Sequence, residues 1–189
     1  GVEHTQLGYG GGCLVASADG CASVAARFLK TGYAATSANW DFSRYQASAV
    51  VINLGTNDRS HSVSSADFQN GYVAFLRTVR SRYPNAVIFA LRTFSGRYPS
   101  ETQAAVQTVN NGGDRNVYYV DTTGWITNSL LSDSVHPNDA GHRAVAARLA
   151  PIIAAKLGTS PTSTTWPTTT TSTTTTSTTT TSRTTTTTS

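Results

Sequence analysis

Ala49-Val50-Val51-Ile52-Asn53-Leu54-Gly55-Thr56-Asn57-Asp58 decides the fold class. Its first six residues form a nearly continuous β-branched and apolar run, the pattern of a strand buried on both faces of a parallel sheet. The run then ends in a tight polar turn. Downstream, Phe68, Tyr72, Phe75, Leu76, Val79 and Tyr83 recur at spacings of three and four. That spacing predicts an amphipathic helix, capped by Ser64 or Ser65 and left at Pro84. Ala86 to Leu91 reads as a second apolar strand, Ser100 to Val109 as a helix closed by Gly112-Gly113, and Val117 to Val120 as a third strand. A last helix from about Asn138 to Leu157 carries Val145, Leu149, Ile152, Ile153 and Leu157 on one side, with an interruption and a kink expected at Pro151. Upstream, Glu3 to Leu7 is a strand candidate and Ser23 to Lys30 a helix stopped by Gly32. Repeated β-α units require right-handed crossovers, so the expected class is α/β: a three-layer α/β/α sandwich around a central parallel sheet.

Sites in such sheets lie beyond the carboxyl ends of the strands. Three candidate elements follow strand ends here: the turn Gly10-Gly11-Gly12, the turn holding Asn57, and the loop carrying Asp133-Ser134-Val135-His136. A carboxylate three positions before a histidine can accept its Nδ1-H, fix the tautomer and leave Nε2 to act as a general base. Pro137 keeps His136 out of helical geometry and begins the next helix. The Asn57 amide is placed to donate to a developing oxyanion, or else to close its own turn. Asp58 reads as the capping residue of that turn. Gly8-Tyr9-Gly10-Gly11-Gly12-Cys13 fails as a dinucleotide fingerprint, because its sixth position is Cys13 rather than Gly or Ala. Trp125 lies on the loop before Asp133, where an indole packs in the core or stacks on a sugar ring. Tyr9 and Trp40 are weaker versions of that idea, and Arg59 reads as a surface ion-pair residue. His4, His61 and His142 receive no function.

Gly55-Thr56-Asn57-Asp58, Asp133-Ser134-Val135-His136 and the Gly10-Gly11-Gly12 turn together resemble three of the four blocks of the SGNH (GDSL-like) hydrolases. Residues 1 to 157 look closest to fungal secreted acetyl-xylan and glucomannan esterases, notably in Val2-Glu3-His4-Thr5-Gln6 and His136-Pro137-Asn138-Asp139-Ala140-Gly141-His142. The resemblance implies a flavodoxin-like sandwich and a serine esterase that removes O-acetyl groups from plant cell-wall polysaccharide. It makes His136 and Asp133 catalytic, and Asn57 with Gly11 the oxyanion hole; Gly10 and Gly12 are chemically equivalent choices to Gly11. No cofactor or metal is implied. The block that bears the family's nucleophilic Ser has no counterpart, so the expectation is a chain that begins downstream of it, without the first strand and inactive by itself. The absence of methionine agrees with that expectation. A lipid or aryl esterase of the same fold, or an inactive carbohydrate-binding or wall-associated protein, are the alternatives.

The domain expected from residues 1–158 is followed by a tail, 159–189, made almost wholly of Thr, Ser and Pro. With Trp166 its only large apolar residue, such a segment cannot offset the entropy of ordering and reads as an O-glycosylated stalk. A stalk of this composition suggests a carbohydrate-binding module beyond it and a secreted, extracellular protein. Charged residues are only 13% of the chain against ~25% in typical domains. The formal charge of +4 comes with no nucleic-acid-binding motif, so Arg77, Arg80 and Arg82 read as a solvated helix face. No stretch approaches the ~20 apolar residues of a membrane span. Cys13 and Cys21 enclose seven residues including Gly20, a loop suited to a disulfide, the default for an exported pair. No histidine or second cysteine pair lies at ligand spacing from them, so a metal is not expected.

Overall fold

A computed structural model describes residues 3–17 and 19–159; the predicted stalk from residue 160 onward lies outside them. Three strands, β1 (Ala49–Ile52), β2 (Val87–Leu91) and β3 (Val117–Val120), form one parallel sheet in the order β1-β2-β3. Ala49 pairs with Val87 and Ile52 with Ala90; Ile88 pairs with Val117 and Leu91 with Val120. The helices are α1 (Val24–Arg27), α2 (Thr56–Ser60), α3 (Ser65–Arg82), α4 (Pro99–Asn111) and α5 (Asp139–Leu157).

Period-two alternation sorts the strand side chains into two layers. Ile52, Ile88, Ala90 and Val117 point to the face covered by α3 and α4, where Phe68, Tyr72, Leu76, Val79, Val106 and Val109 complete the larger core. Phe89, Leu91 and Val120 point to the other face, beneath Leu149, Ile152 and Ile153 of α5. Two successive crossovers of the same hand, moving the same way along the sheet, must place α3 and α4 on one face. α5 follows the last strand and folds back over the opposite one, which gives the α/β/α sandwich. β2 lies between the other two strands, and its last four residues are buried, as the unbroken apolar run requires.

Local sequence explains most boundaries. Ser64 caps α3 by accepting from the Asp67 amide, Asn138 caps α5 by accepting from Gly141, and Gly158 ends α5 in the left-handed region. α3 tolerates Gly71 at mid-helix because a Cβ there would stand 2.5 Å from Val15 Cγ2. Three expectations fail. Glu3 to Leu7 forms no strand pairing among the described residues and is exposed: Leu7 is its only large apolar residue and is 42% exposed, so the segment has no face to bury. The helix expected over Ser23 to Lys30 is one turn. Beyond it the chain pairs across instead, with Trp40 N donating to Leu29 O at 2.8 Å and Thr31 N to Ala38 O at 2.9 Å. The interruption expected at Pro151 does not occur: α5 stays helical through this exposed residue, and the carbonyl that loses its donor belongs to Ala147, likewise exposed.

Candidate active site

Gly55 leaves β1 at φ +127, a conformation that L side chains rarely adopt, and a Cβ on it would stand 2.9 Å from Phe68 Cζ. This tight exit starts the one-turn helix α2 immediately, so Asn57 and Asp58 emerge together at the end of the sheet. Both reach the glycine turn more than forty residues upstream. Asn57 Nδ2 donates to Gly12 O at 2.9 Å. Asp58, 0% exposed, accepts from Leu14 N at 2.9 Å through Oδ2 and from Val15 N at 3.0 Å through Oδ1. Burial raises the Asp58 carboxyl above its ordinary value, and the Val15 and Leu14 N-H groups oppose that rise. Asp58 therefore anchors a distant segment and does not cap its own turn. The sequence contained the signal in its contiguity with Asn57, but nothing in a linear reading says that a carboxylate reaches forty residues back.

The glycine turn is shaped for this contact. Gly12 N donates to Tyr9 O at 3.0 Å, and Gly11 adopts φ +70. A Cβ on Gly12 would lie 2.6 Å from Val24 Cγ2. Among the described residues, the amide of Gly11 has no acceptor and Gly11 is exposed, whereas that of Gly12 is consumed in the turn. Chemistry alone leaves the three glycines equivalent; hydrogen bonding separates Gly11 from Gly12. One Asn57 N-H is held by Gly12 O, which leaves its second N-H on a side chain of fixed orientation. The Cys13–Cys21 disulfide continues the turn, and the Cys21 sulfur lies 3.3 Å from Gly11 O.

The second element follows β3. Thr122 Oγ1 donates to Arg92 O at 2.7 Å, tying the start of the loop to the end of β2. Leu131 and Pro137 then form an isolated antiparallel bridge, and both Ser132 N and Ser132 Oγ donate to His136 O. Within that narrow loop His136 Nδ1 faces Asp133 Oδ2 at 2.7 Å. Asp133 Oδ1 accepts from Val135 N and His136 N, each at 2.8 Å. These backbone donors, Val135 first, and then the ring hold the Asp133 carboxyl at about 2. The histidine and aspartate side chains are 74% and 54% exposed, so Nε2 is open to an incoming proton donor. Gly141 completes the support: a Cβ there would stand 2.3 Å from Leu130 O, so α5 starts tight against the loop.

The Asn57 and His136 loops both leave carboxyl ends of parallel strands and so occupy the same end of the sheet. Among the described residues no hydrogen bond joins them. Trp125 is partly buried against Phe89, Leu91 and Val120, under the layer of α5. Tyr9 packs edge-on against Tyr33, with centroids 5.0 Å apart, and Trp40 is 37% exposed. His61, unassigned from sequence, pairs with Asp19, Nδ1 to Oδ2 at 2.7 Å.

An aspartate-oriented histidine and an amide-lined turn at one end of a parallel α/β sheet define a class of acyl-transfer folds. Residues 5–144 match the GDSL-like Lipase/Acylhydrolase family, and the chain belongs to it. It is 35% identical over 126 residues to the Cellulase/esterase CelE of Acetivibrio thermocellus, covering 63% of this chain and 16% of that protein. The structure of a family two carbohydrate esterase from Clostridium thermocellum in complex with cellohexaose superposes with a TM-score of 0.67 at 32% identity, over 78% of this chain and 48% of the other. A Corynascus thermopiles (Myceliophthora fergusii) carbohydrate esterase family 2 enzyme plus carbohydrate binding domain gives 0.60 at 25% identity, over 78% and 50%. The chain thus spans half or less of the length of these relatives.

Proposed function

We propose that the chain carries the base and the oxyanion hole of a serine esterase that removes O-acetyl groups from cell-wall polysaccharide. The observation that carries this reading is the docking of the Asn57 amide on Gly12 O, the residue next to Gly11, whose N-H has no acceptor among the described residues. Two donors held by a rigid turn suit an oxyanion that forms only in the tetrahedral intermediate. His136, oriented by Asp133, takes the proton of an attacking hydroxyl and returns it to the leaving sugar oxygen. No residue of the described chain is assigned as that hydroxyl. The polysaccharide substrate is supported by the relatives, one of which was solved with cellohexaose and another with a carbohydrate binding domain. A secreted setting and a glycosylated stalk from residue 159 are part of the same proposal, on the composition of the tail.

The test is acetate release from acetylated xylan and acetylated glucomannan by the natural protein that carries this chain, with variants beside it. His136→Ala should cost several orders of magnitude in turnover, and Asp133→Asn less. Asn57→Ala should lower kcat by ~10²–10³ with little change in KM, because its amide meets full charge only in the transition state. Preference for aryl or lipid esters would redirect the substrate, and near wild-type turnover by His136→Ala would overturn the base.

A further inference from the structure

The disulfide partners Cys13 and Cys21 are both buried, and the fold brings to them a histidine that the sequence keeps forty residues away. His61 and the two sulfurs offer three ligand atoms that all lie within 4.8 Å of one another. Asp19 holds Nδ1 of that imidazole at 2.7 Å, and the Ser17 hydroxyl donates to the other Asp19 oxygen. A carboxylate on one ring nitrogen fixes the tautomer and raises the basicity of the other, the outer-shell arrangement that supports histidine ligands. While the sulfurs are bonded to each other they carry no thiolate charge and bind nothing. We propose that Cys13, Cys21 and His61 form a redox-gated zinc site, closed as the disulfide and opened by reduction.

The chemistry balances with a dithiol as reductant. It gives two electrons and two protons to the Cys13–Cys21 bond and leaves as its own cyclic disulfide. The two protein thiols then release two protons to solvent as Zn²⁺ binds. Two thiolates neutralise the dication, so the buried complex carries no net charge, and a neutral imidazole supplies the third ligand. Sulfur and nitrogen donors select a borderline-soft tetrahedral cation over the oxygen-seeking Mg²⁺ and Ca²⁺. Ligand atoms at about 2.0–2.3 Å from zinc must sit somewhat under 4 Å apart, which the reduced sulfurs and the ring reach by small movements. The fourth position goes to water on the side where His61 is 32% exposed. Because Cys13 follows the glycine turn and His61 closes α2, the metal would clamp together the two segments that Asn57 and Asp58 already join.

The site does not depend on the esterase reading, and its test needs no substrate. The full 189-residue chain is reduced with dithiothreitol, freed of it without air, and titrated with Co²⁺ and then Zn²⁺. One equivalent of Co²⁺ should bind, with the visible bands of a tetrahedral ion and a thiolate charge-transfer band, and one Zn²⁺ should displace it. Asp19→Asn should weaken zinc about 10–100-fold, and His61→Ala by more. The oxidised chain and Cys13→Ser should show neither band. Equal affinity in the reduced chain and in His61→Ala, binding by the oxidised chain, or loss of circular dichroism on reduction without recovery on adding zinc would each overturn the proposal.

Discussion

Asp58→Ala tests how the glycine turn and α2 are held together. The wild-type carboxylate lies fully out of water and takes one N-H on each oxygen, from Leu14 at 2.9 Å and Val15 at 3.0 Å. Leu14 is itself 2% exposed, so its N-H gains no water when the acceptor goes, and the Val15 N-H is partly buried beside it. Two orphaned donors at about 1–3 kcal/mol each, less the relief of no longer burying a carboxylate, put the loss at about 2–4 kcal/mol. For a domain of this size that is a fall in Tm of about 5–15 °C. Asp58→Asn should fall between the variant and wild type: Oδ1 still serves one N-H, but the amide nitrogen meets the other donor to donor. The assay is thermal unfolding followed by circular dichroism. Asp139→Ala serves as control, since Asp139 is exposed in the first turn of α5, where a carboxylate contributes about 0.3–1 kcal/mol. Equal Tm shifts in Asp58→Ala and Asp139→Ala would refute the reasoning. So would an Asp58→Asn more stable than wild type, which would mean that desolvation outweighs both hydrogen bonds.

Other variants probe the same frame. Tyr72→Phe should hold or raise stability by about 1–3 kcal/mol, because the Tyr72 hydroxyl is buried without a partner among the described residues; a clear loss in denaturant titration would show that the hydroxyl is satisfied. Gly71→Ala should destabilise despite a gain of about 1 kcal/mol in helix propensity, since the new methyl meets Val15 Cγ2 at 2.5 Å; an increase in Tm would show that Val15 yields freely. The Asp133 carboxyl should titrate near 2 by NMR, so its contribution to stability is complete above its ordinary 3.8 and is lost as pH falls through about 2. In His136→Ala its midpoint should stay below 3.8, because the Val135 and residue-136 amides remain; a midpoint at 3.8 would transfer the whole effect to the imidazole. Asp58 runs the other way: raised by burial, its contribution is complete below 3.8 and shrinks as pH rises through the folded value.

What a sequence shows and hides follows the range of the force involved. β3 coincides with its predicted span, and α3 differs by a residue, because apolar period and Ser64 capping act within a few positions. The Asp133 to His136 pairing is equally local, three residues along one loop, and so is readable from spacing. The remainder of the site is tertiary. Asn57 is readable from sequence as an oxyanion donor or as a residue that closes its own turn, but the partner that holds its amide is not. In the structure its amide reaches Gly12, because Gly55 turns the chain sharply enough to bring α2 against the glycine turn. Asp58 and His61 fail in linear reading for the same reason: their partners Leu14, Val15 and Asp19 lie more than forty residues away. Glu3 to Leu7 fails differently, because strand propensity without an apolar face and a neighbouring edge has nothing to pair with.

These long-range contacts converge on one short stretch, Gly11 to Val15. It receives the Asn57 amide at Gly12, the Asp58 carboxylate at Leu14 and Val15, the disulfide at Cys13, and the close approach of α3 at Val15. A segment with no regular secondary structure of its own is thus held from four sides. An oxyanion donor needs this: a backbone N-H that moves by a fraction of an ångström as charge develops loses the advantage of being fixed beforehand. Removing any one tether should therefore lower turnover with KM little changed, in proportion to how far it loosens Gly11, even where stability falls only slightly. Asp58→Asn and Gly71→Ala act on that stretch through different contacts, the Leu14 and Val15 N-H groups and the Val15 side chain, without touching the proposed donors. If both left kcat unchanged while lowering Tm, the rigidity of this stretch would serve the fold alone.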